Sequence, residues 1–98
     1  MSVKNPNPVH PGRVLKMYRE DMGLNQTEFA KLIDKRQKDI SNLEKGSDNI
    51  TVDIALRLEK ALNTRAEMWL NIQQSWALHQ ERQNRNQFYT ESSEGKAL

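Results

Sequence analysis

The stretch "LNQTEFAKLIDKRQKDISNLEKG", residues 24–46, decides how the chain is read. Asn25 followed three residues later by Glu28 has the spacing of a capping box, in which each side chain takes the backbone N–H of the other. Phe29, Leu32 and Ile33, with small Ala30 between them, supply the inward stripe of a helix over 26–33. Only Asp34, Lys35 and Arg36 separate it from Ile40 and Leu43, an apolar pair at i and i+3, after which Gly46 stops a second, short helix over 37–45. Lys35, Arg36 and Lys38 crowd positive charge onto the front of that second helix. Unpaired N–H groups and the helix dipole already disfavour cations there, and an oxygen-bearing cap is the usual occupant. Rule-breaking of this kind, confined to one place, is expected where contact with a partner outweighs stability.

Two helices joined by a three-residue turn, the second short and polar-fronted, form a helix-turn-helix. Ile40 and Leu43 must face inward onto Phe29 and Ile33, which leaves Gln37, Lys38, Ser41 and Asn42 on outward or flanking faces. A helix of this length fits the major groove, where Arg and Lys match guanine O6 and N7 and Gln and Asn match adenine N6 and N7. Arg36, Gln37, Lys38, Ser41 and Asn42 are therefore the base-reading candidates on double-stranded DNA. Asn25 and Gln26, at the start of the first helix, and Lys35 in the turn are the phosphate-binding candidates.

Working outward, Pro11 suits a first helical turn, Val14, Leu15, Tyr18 and Met22 recur at helical spacing, and Gly23 ends a helix over 11–22. On the other side Thr51 caps a strongly apolar helix carrying Val52, Ile54, Ala55, Leu58, Ala61 and Leu62. Thr64 with Glu67 has capping-box spacing and opens a fifth helix, where Trp69, Ile72 and Trp76 fall at i, i+3 and i+7 with Leu70 and Leu78 beside them. From His79 onward apolar content nearly vanishes, leaving Phe88 and Tyr89 as the only anchors.

Composition narrows the function classes. The 98 residues suit one domain, 29% charged and 36% hydrophobic, with no cysteine and a net charge of +2. That charge is uneven: residues 1–46 hold nine Lys/Arg against six Asp/Glu, and residues 47–98 six against seven. No apolar run is long enough for a membrane span and no leader is visible, so a cytoplasmic protein with no membrane partner is expected. The Asn49-Ile50-Thr51 triplet is then a chance match to a glycosylation acceptor. His10 and His79 stand far apart without clustered ligands and read as surface residues, so no metal or cofactor is expected. No nucleophile-base set or phosphate loop appears, and no catalytic site is expected; the chain reads as a non-enzyme.

The central stretch resembles the Xre and phage-repressor type of helix-turn-helix without a gap, with the family's Gln at Gln26, Glu at Glu28, small residue at Ala30, apolar positions at Ile40 and Leu43, and Gly at Gly46. The resemblance implies that Gln26 contacts phosphate, that Gln37, Lys38 and Asn42 read bases, and that Arg19 and Glu44 form a partly buried ion pair. The flanks "HPGRVL" (10–15) and "ITVDIALRLEKALNTRAEMWLNIQ" (50–73) resemble the HigA-type antitoxins, or VapI group, over roughly residues 10–80. Such proteins are dimeric repressors of their own operon that also neutralise a HigB-type toxin, a ribosome-dependent ribonuclease. The implied architecture is all-α: a five-helix repressor-like helix-turn-helix domain with a polar C-terminal tail. Residues 1–9 form a flexible arm, 10–80 the domain with its dimerisation helix, and 81–98 a polar tail open to disorder. In repressor-like domains the first four helices already close a unit. An aromatic stripe such as Trp69 and Trp76 is usually core, but the fifth helix then has bulky surface to hide, and Trp69, Leu70, Ile72, Trp76 and Leu78 are expected at a homodimer interface in preference to an internal-core role.

Three positions depart from the family pattern. Asp34 replaces the turn glycine, a strain of ~1 kcal/mol that Asp tolerates better than most residues. Lys35 replaces an apolar turn residue, and Arg36 replaces a Ser or Thr cap at a loss on the order of 1 kcal/mol. Asp39 in the first turn returns a few tenths through the dipole. Two other readings fit the same scaffold: a transcriptional regulator with no toxin partner, and a protein-interaction module whose Lys35–Lys38 segment meets an acidic surface.

Overall fold

A computed structural model describes the backbone of residues 8–96 and the side chains of residues 8–85. Among the described residues five helices follow one another: α1 (Pro11–Asp21), α2 (Gln26–Leu32), α3 (Gln37–Lys45), α4 (Val52–Leu62) and α5 (Ala66–Lys96). Local chemistry sets most of their ends. The Asn25 side chain accepts from the Glu28 N–H at 2.8 Å while Glu28 accepts from the Asn25 N–H at 2.9 Å, so the box is closed in both directions. Thr51 Oγ1 caps α4 by accepting from the Ile54 N–H at 3.2 Å. Gly46 ends α3 with φ 84°, and Asp34 makes the turn between α2 and α3 with φ 58°.

The core gathers Leu15 of α1, Phe29, Ala30 and Ile33 of α2 and its cap, Ile40 and Leu43 of α3, Ile54, Ala55 and Leu58 of α4, and Trp69 of α5. Ile40 and Leu43 thus hold α3 against the rest of the domain by the face opposite its polar front. α1 approaches α3 so closely that any side chain at position 12 would collide with the Leu43 carbonyl, and glycine is what permits it.

Several expectations need correction. Leu32, assigned to the inward stripe of α2, is 48% exposed, because α2 ends there and the chain turns. The Thr64–Glu67 box does not form. α5 begins at Ala66, whose N–H is taken by Glu59 Oε2 at 2.8 Å, and Thr64 Oγ1 instead accepts from Trp69 Nε1 at 2.8 Å. Trp69 is fully buried inside the monomer and cannot belong to a dimer surface; it stacks at a tilt on Tyr18, with ring centroids 5.6 Å apart. Leu70 is only half-exposed and also packs on the core. At 100° per residue Leu78 points away from Trp69, and it is 47% exposed. Of the five residues expected at the dimer interface, Trp69 is therefore interior, Leu70 is half-buried against the core, and Leu78 faces the opposite side of α5 from Trp69.

His10 is no surface residue either. It is 6% exposed, its Nδ1 accepts the Gly12 N–H at 2.9 Å as the α1 cap, and its ring meets Trp76 edge-on at 5.6 Å. Its Nε2 is buried without a hydrogen-bond partner, and burial pushes its pKa below the ordinary value. At the other end, α5 runs on to Lys96 rather than fraying near residue 80. No glycine or proline interrupts residues 66–94, and an i,i+4 pair, Arg85 to Glu81 at 3.0 Å, supports the exposed turns. Residues 1–7 of the expected arm, and the side chains of Phe88 and Tyr89, lie outside the described residues.

Candidate functional site

The site grows from one buried ion pair. Arg19 on α1 grips Glu44 near the end of α3 with two bonds, Nε to Oε2 at 2.6 Å and Nη2 to Oε1 at 3.0 Å, and also donates Nη1 to the Leu24 carbonyl at 2.8 Å. The two side chains are only 11% and 5% exposed. Burial alone would raise the Glu44 pKa, but hydrogen bonds from Arg19 and Gln26 and the charges of Arg19 and Lys16 outweigh it and hold the carboxyl below its ordinary value.

An ionised carboxylate only accepts. Gln26 must therefore turn its –NH2 toward Glu44, and Nε2 lies 2.9 Å from Oε1. That turns the Gln26 carbonyl oxygen outward, where it accepts from Gln37 Nε2 at 2.6 Å. Gln37, the first residue of α3, is left presenting its own oxygen and its second N–H to solvent. The orientation of an exposed amide is in this way dictated from the interior through two intervening side chains.

Around Gln37 the front of α3 is open. Arg36 and Lys38 are exposed, and Ser41 and Asn42 flank the helix half-buried. The Arg36 side chain makes no capping bond; the Asp39 carboxylate instead accepts the Arg36 N–H at 3.0 Å, so one orphan donor of α3 is satisfied from within the helix. The Asn25 oxygen is held in its cap, which leaves its –NH2 to donate at the α2 front, beside Gln26. Lys35 is set apart from this group: it is half-buried and its Nζ lies 3.7 Å from Asp53 Oδ2 on α4, so it leans back over the turn.

Arg57 was not singled out by sequence, yet it holds the turn. Its Nη1 donates to the Ile33 carbonyl at 3.0 Å and lies 3.8 Å from Asp34, while its Nε donates to Asp53 at 2.9 Å. The hydrogen bond from Arg57 is the largest influence and lowers the Asp53 pKa; burial opposes it, and the charges of Arg57 and Lys35 with a hydrogen bond from Lys35 add to the lowering. The Asp53–Arg57 spacing of four was the available signal. Gln73 was missed as well: it receives the Ile50 N–H at 2.7 Å and so ties α5 to the loop before α4. Among the described residues no group of three or more His, Cys, Asp or Glu could hold a metal ion, and no helix is long and apolar enough to cross a membrane.

Comparison with known proteins assigns the fold to a family. The helix-turn-helix family HTH_3 matches residues 15–69. Virulence-associated protein A of Dichelobacter nodosus is 40% identical over 77 residues, 76% of this chain and 76% of its own. A solved structure from Nostoc punctiforme, described as an antidote protein of a plasmid maintenance system, is 35% identical with a TM-score of 0.85, over 88% of this chain and 94% of that one. An addiction module antidote protein of a HigA family from Coxiella burnetii is 25% identical with a TM-score of 0.75, over 92% and 95% of the two chains.

Proposed function

The chain belongs to the helix-turn-helix family HTH_3, with relatives named as virulence-associated and antidote proteins, and we propose that it is a sequence-specific DNA-binding antitoxin that represses its own toxin–antitoxin operon as a homodimer. In this reading α3 enters the major groove and α2 lies across the backbone. The observation that carries it is the fixed polarity of Gln37. Its outward oxygen and N–H match the N6 donor and N7 acceptor of adenine, and the Gln26 acceptor favours this orientation of the amide over the reversed one. Arg36 and Lys38 beside it suit guanine, Ser41 and Asn42 read the flank, and Asn25 with the remaining Gln26 N–H positions a phosphate. Lys35, drawn toward Asp53, contributes a cation near the backbone rather than a base contact.

The second half of the proposal is neutralisation of a HigB-type ribonuclease toxin in the cytoplasm. The relatives described as antidotes support it, and it assigns the chain binding in place of catalysis.

The DNA half is tested by a mobility shift on the duplex immediately upstream of the chain's own gene. Gln37→Ala is expected to lose roughly 1–3 kcal/mol on that duplex, about 5- to 150-fold, with random DNA hardly affected. Gln26→Ala should weaken both. Equal losses on the two duplexes for Gln37→Ala would remove Gln37 from the reading set. For the toxin half, co-expression with the adjacent small reading frame should restore growth and yield a co-purifying complex; if growth arrest persists, the antitoxin assignment fails while the DNA assignment stands.

A further inference from the structure

Of the cations crowded at the front of α3, Arg36 and Lys38 are exposed and have no ion-pair partner among the described residues. Lys35 differs. Its Nζ lies 3.7 Å from Asp53 Oδ2, and its side chain is drawn down to 29% exposure. The carboxylate that holds it belongs to another helix, at the second position of α4. The same Oδ2 accepts from Arg57 Nε at 2.9 Å, and Arg57 is tied in turn through Nη1 to the Ile33 carbonyl at 3.0 Å. Asp53 is thus fixed against the turn and does not swing away from Lys35. With Asp34, 3.8 Å from Arg57, the charges alternate in sign along the turn and cancel. The hydrogen bond from Arg57, above all, lowers the Asp53 pKa, so the carboxylate is ionised near neutral pH.

Lys35 immediately precedes Arg36 and Gln37, at the edge of the face that meets DNA in the preceding reading, on which this inference rests. Its flexible stem gives the ammonium the reach to leave the turn for a phosphate beside the base-reading contacts. Doing so would break the pair with Asp53 and leave that carboxylate unneutralised next to the same phosphate. The new attraction is offset by both losses, and the contact brings no net gain. We infer that Asp53 is a positioning residue for DNA binding: by holding Lys35 over the turn it withholds one phosphate contact, and so limits the part of the affinity that is indifferent to sequence. A chain that must find one site among a large excess of other DNA benefits, because sequence-independent affinity is what detains it on the wrong sites. This control is separate from base reading, since the Gln37 amide is oriented from Glu44 through Gln26 and not through Asp53.

Fluorescence anisotropy of the full chain on a random duplex, over a salt series from roughly 50 to 200 mM, tests this. Asp53→Asn keeps the volume and an oxygen for Arg57 while removing the charge. One added phosphate contact should tighten binding several-fold at low salt and steepen the log–log salt dependence by ~0.9, so that the gain shrinks about 3.5-fold across the series. Lys35→Met alone should leave the slope of the wild type, and in the Asp53→Asn background it should abolish the added slope. Asp48→Asn, which removes an exposed charge of the loop after α3 that has no ion-pair partner among the described residues, should not steepen it, and Asp53→Glu should behave as wild type. The Asp53 side chain is 60% exposed, and matching thermal midpoints serve as the folding control. A wild-type slope for Asp53→Asn would overturn the inference. So would an added slope that survives Lys35→Met or that Asp48→Asn reproduces, since net charge would then be the cause. Should Asp53→Asn melt early, Lys35→Met in the wild-type background decides: a shallower slope would mean that Lys35 already contacts phosphate, and the inference fails. A wild type that binds neither the random nor the upstream duplex would instead sink the DNA-binding reading itself.

Discussion

A carboxylate that can only accept imposes a direction on every amide linked to it, and Glu44 passes that direction through Gln26 to Gln37. Glu44→Gln keeps the volume but can offer an –NH2 to Gln26, so both glutamines become free to reverse. The expected result is a relaxed base preference at the position Gln37 reads, measured by binding to duplexes substituted one base pair at a time. Arg19 is also left without its counter-charge, and a loss of about 3 kcal/mol of stability is expected from thermal or denaturant unfolding. His10 carries a second prediction at this scale. Burial sets its folded pKa below the ordinary 6.5, so the unfolded chain takes up the proton first. Stability is complete above that value and declines as the pH falls through the folded pKa, because protonation of Nδ1 removes the acceptor that caps α1. His10→Asn retains a capping oxygen and should be flat in stability between pH 7 and pH 5, as measured by urea unfolding. Glu44 does not confuse the result, since its own contribution is lost only below its ordinary 4.5. Spacing alone could not reveal His10, whose burial depends on Trp76, a residue sixty-six positions away in sequence and placed against it only by the fold.

At the scale of elements, boundaries were legible wherever a residue carries stereochemistry of its own. Gly46, Thr51 and the Asn25–Glu28 pair mark ends of α3, α4 and α2 that the structure places at or within a residue of the sequence reading. The start of α5 was not legible, because Thr64 had two uses for its hydroxyl and the buried indole of Trp69 took it. Nor was its far end: lack of apolar residues argues against a core, whereas continuing a helix needs only the absence of breakers. The weak front of α3 is the element-level feature with a consequence. Arg36→Ser would add the missing cap oxygen, and a gain of about 1 kcal/mol in stability is expected. If Arg36 meets DNA, the same variant should bind the upstream duplex less tightly while melting at a higher temperature. Higher stability with unchanged affinity would leave Arg36 with no DNA role.

For the whole molecule, an apolar stripe states that a helix buries something without stating what. Trp69, Leu70, Ile72, Trp76 and Leu78 were assigned to a dimer interface over a core role because the sequence does not show that α1, α4 and the His10 segment already claim the inner part of α5. What did carry over is the exposure of Arg36, Gln37 and Lys38, since Ile40 and Leu43 fix the inner face of α3, whereas Ser41 and Asn42 end half-buried at its flank. Two such helices in a dimer must meet half-sites about one turn apart, ~34 Å or about 10 base pairs. Inserting five base pairs between the half-sites of the upstream duplex turns one of them to the opposite side of the helix. Affinity should then fall to that of a single half-site. Inserting a full turn restores the face but doubles the reach, so a rigid dimer remains weak while a pair of independent monomers would recover fully. Binding that is indifferent to both insertions would mean that each recognition helix acts alone, and the fixed two-fold arrangement would have to be abandoned.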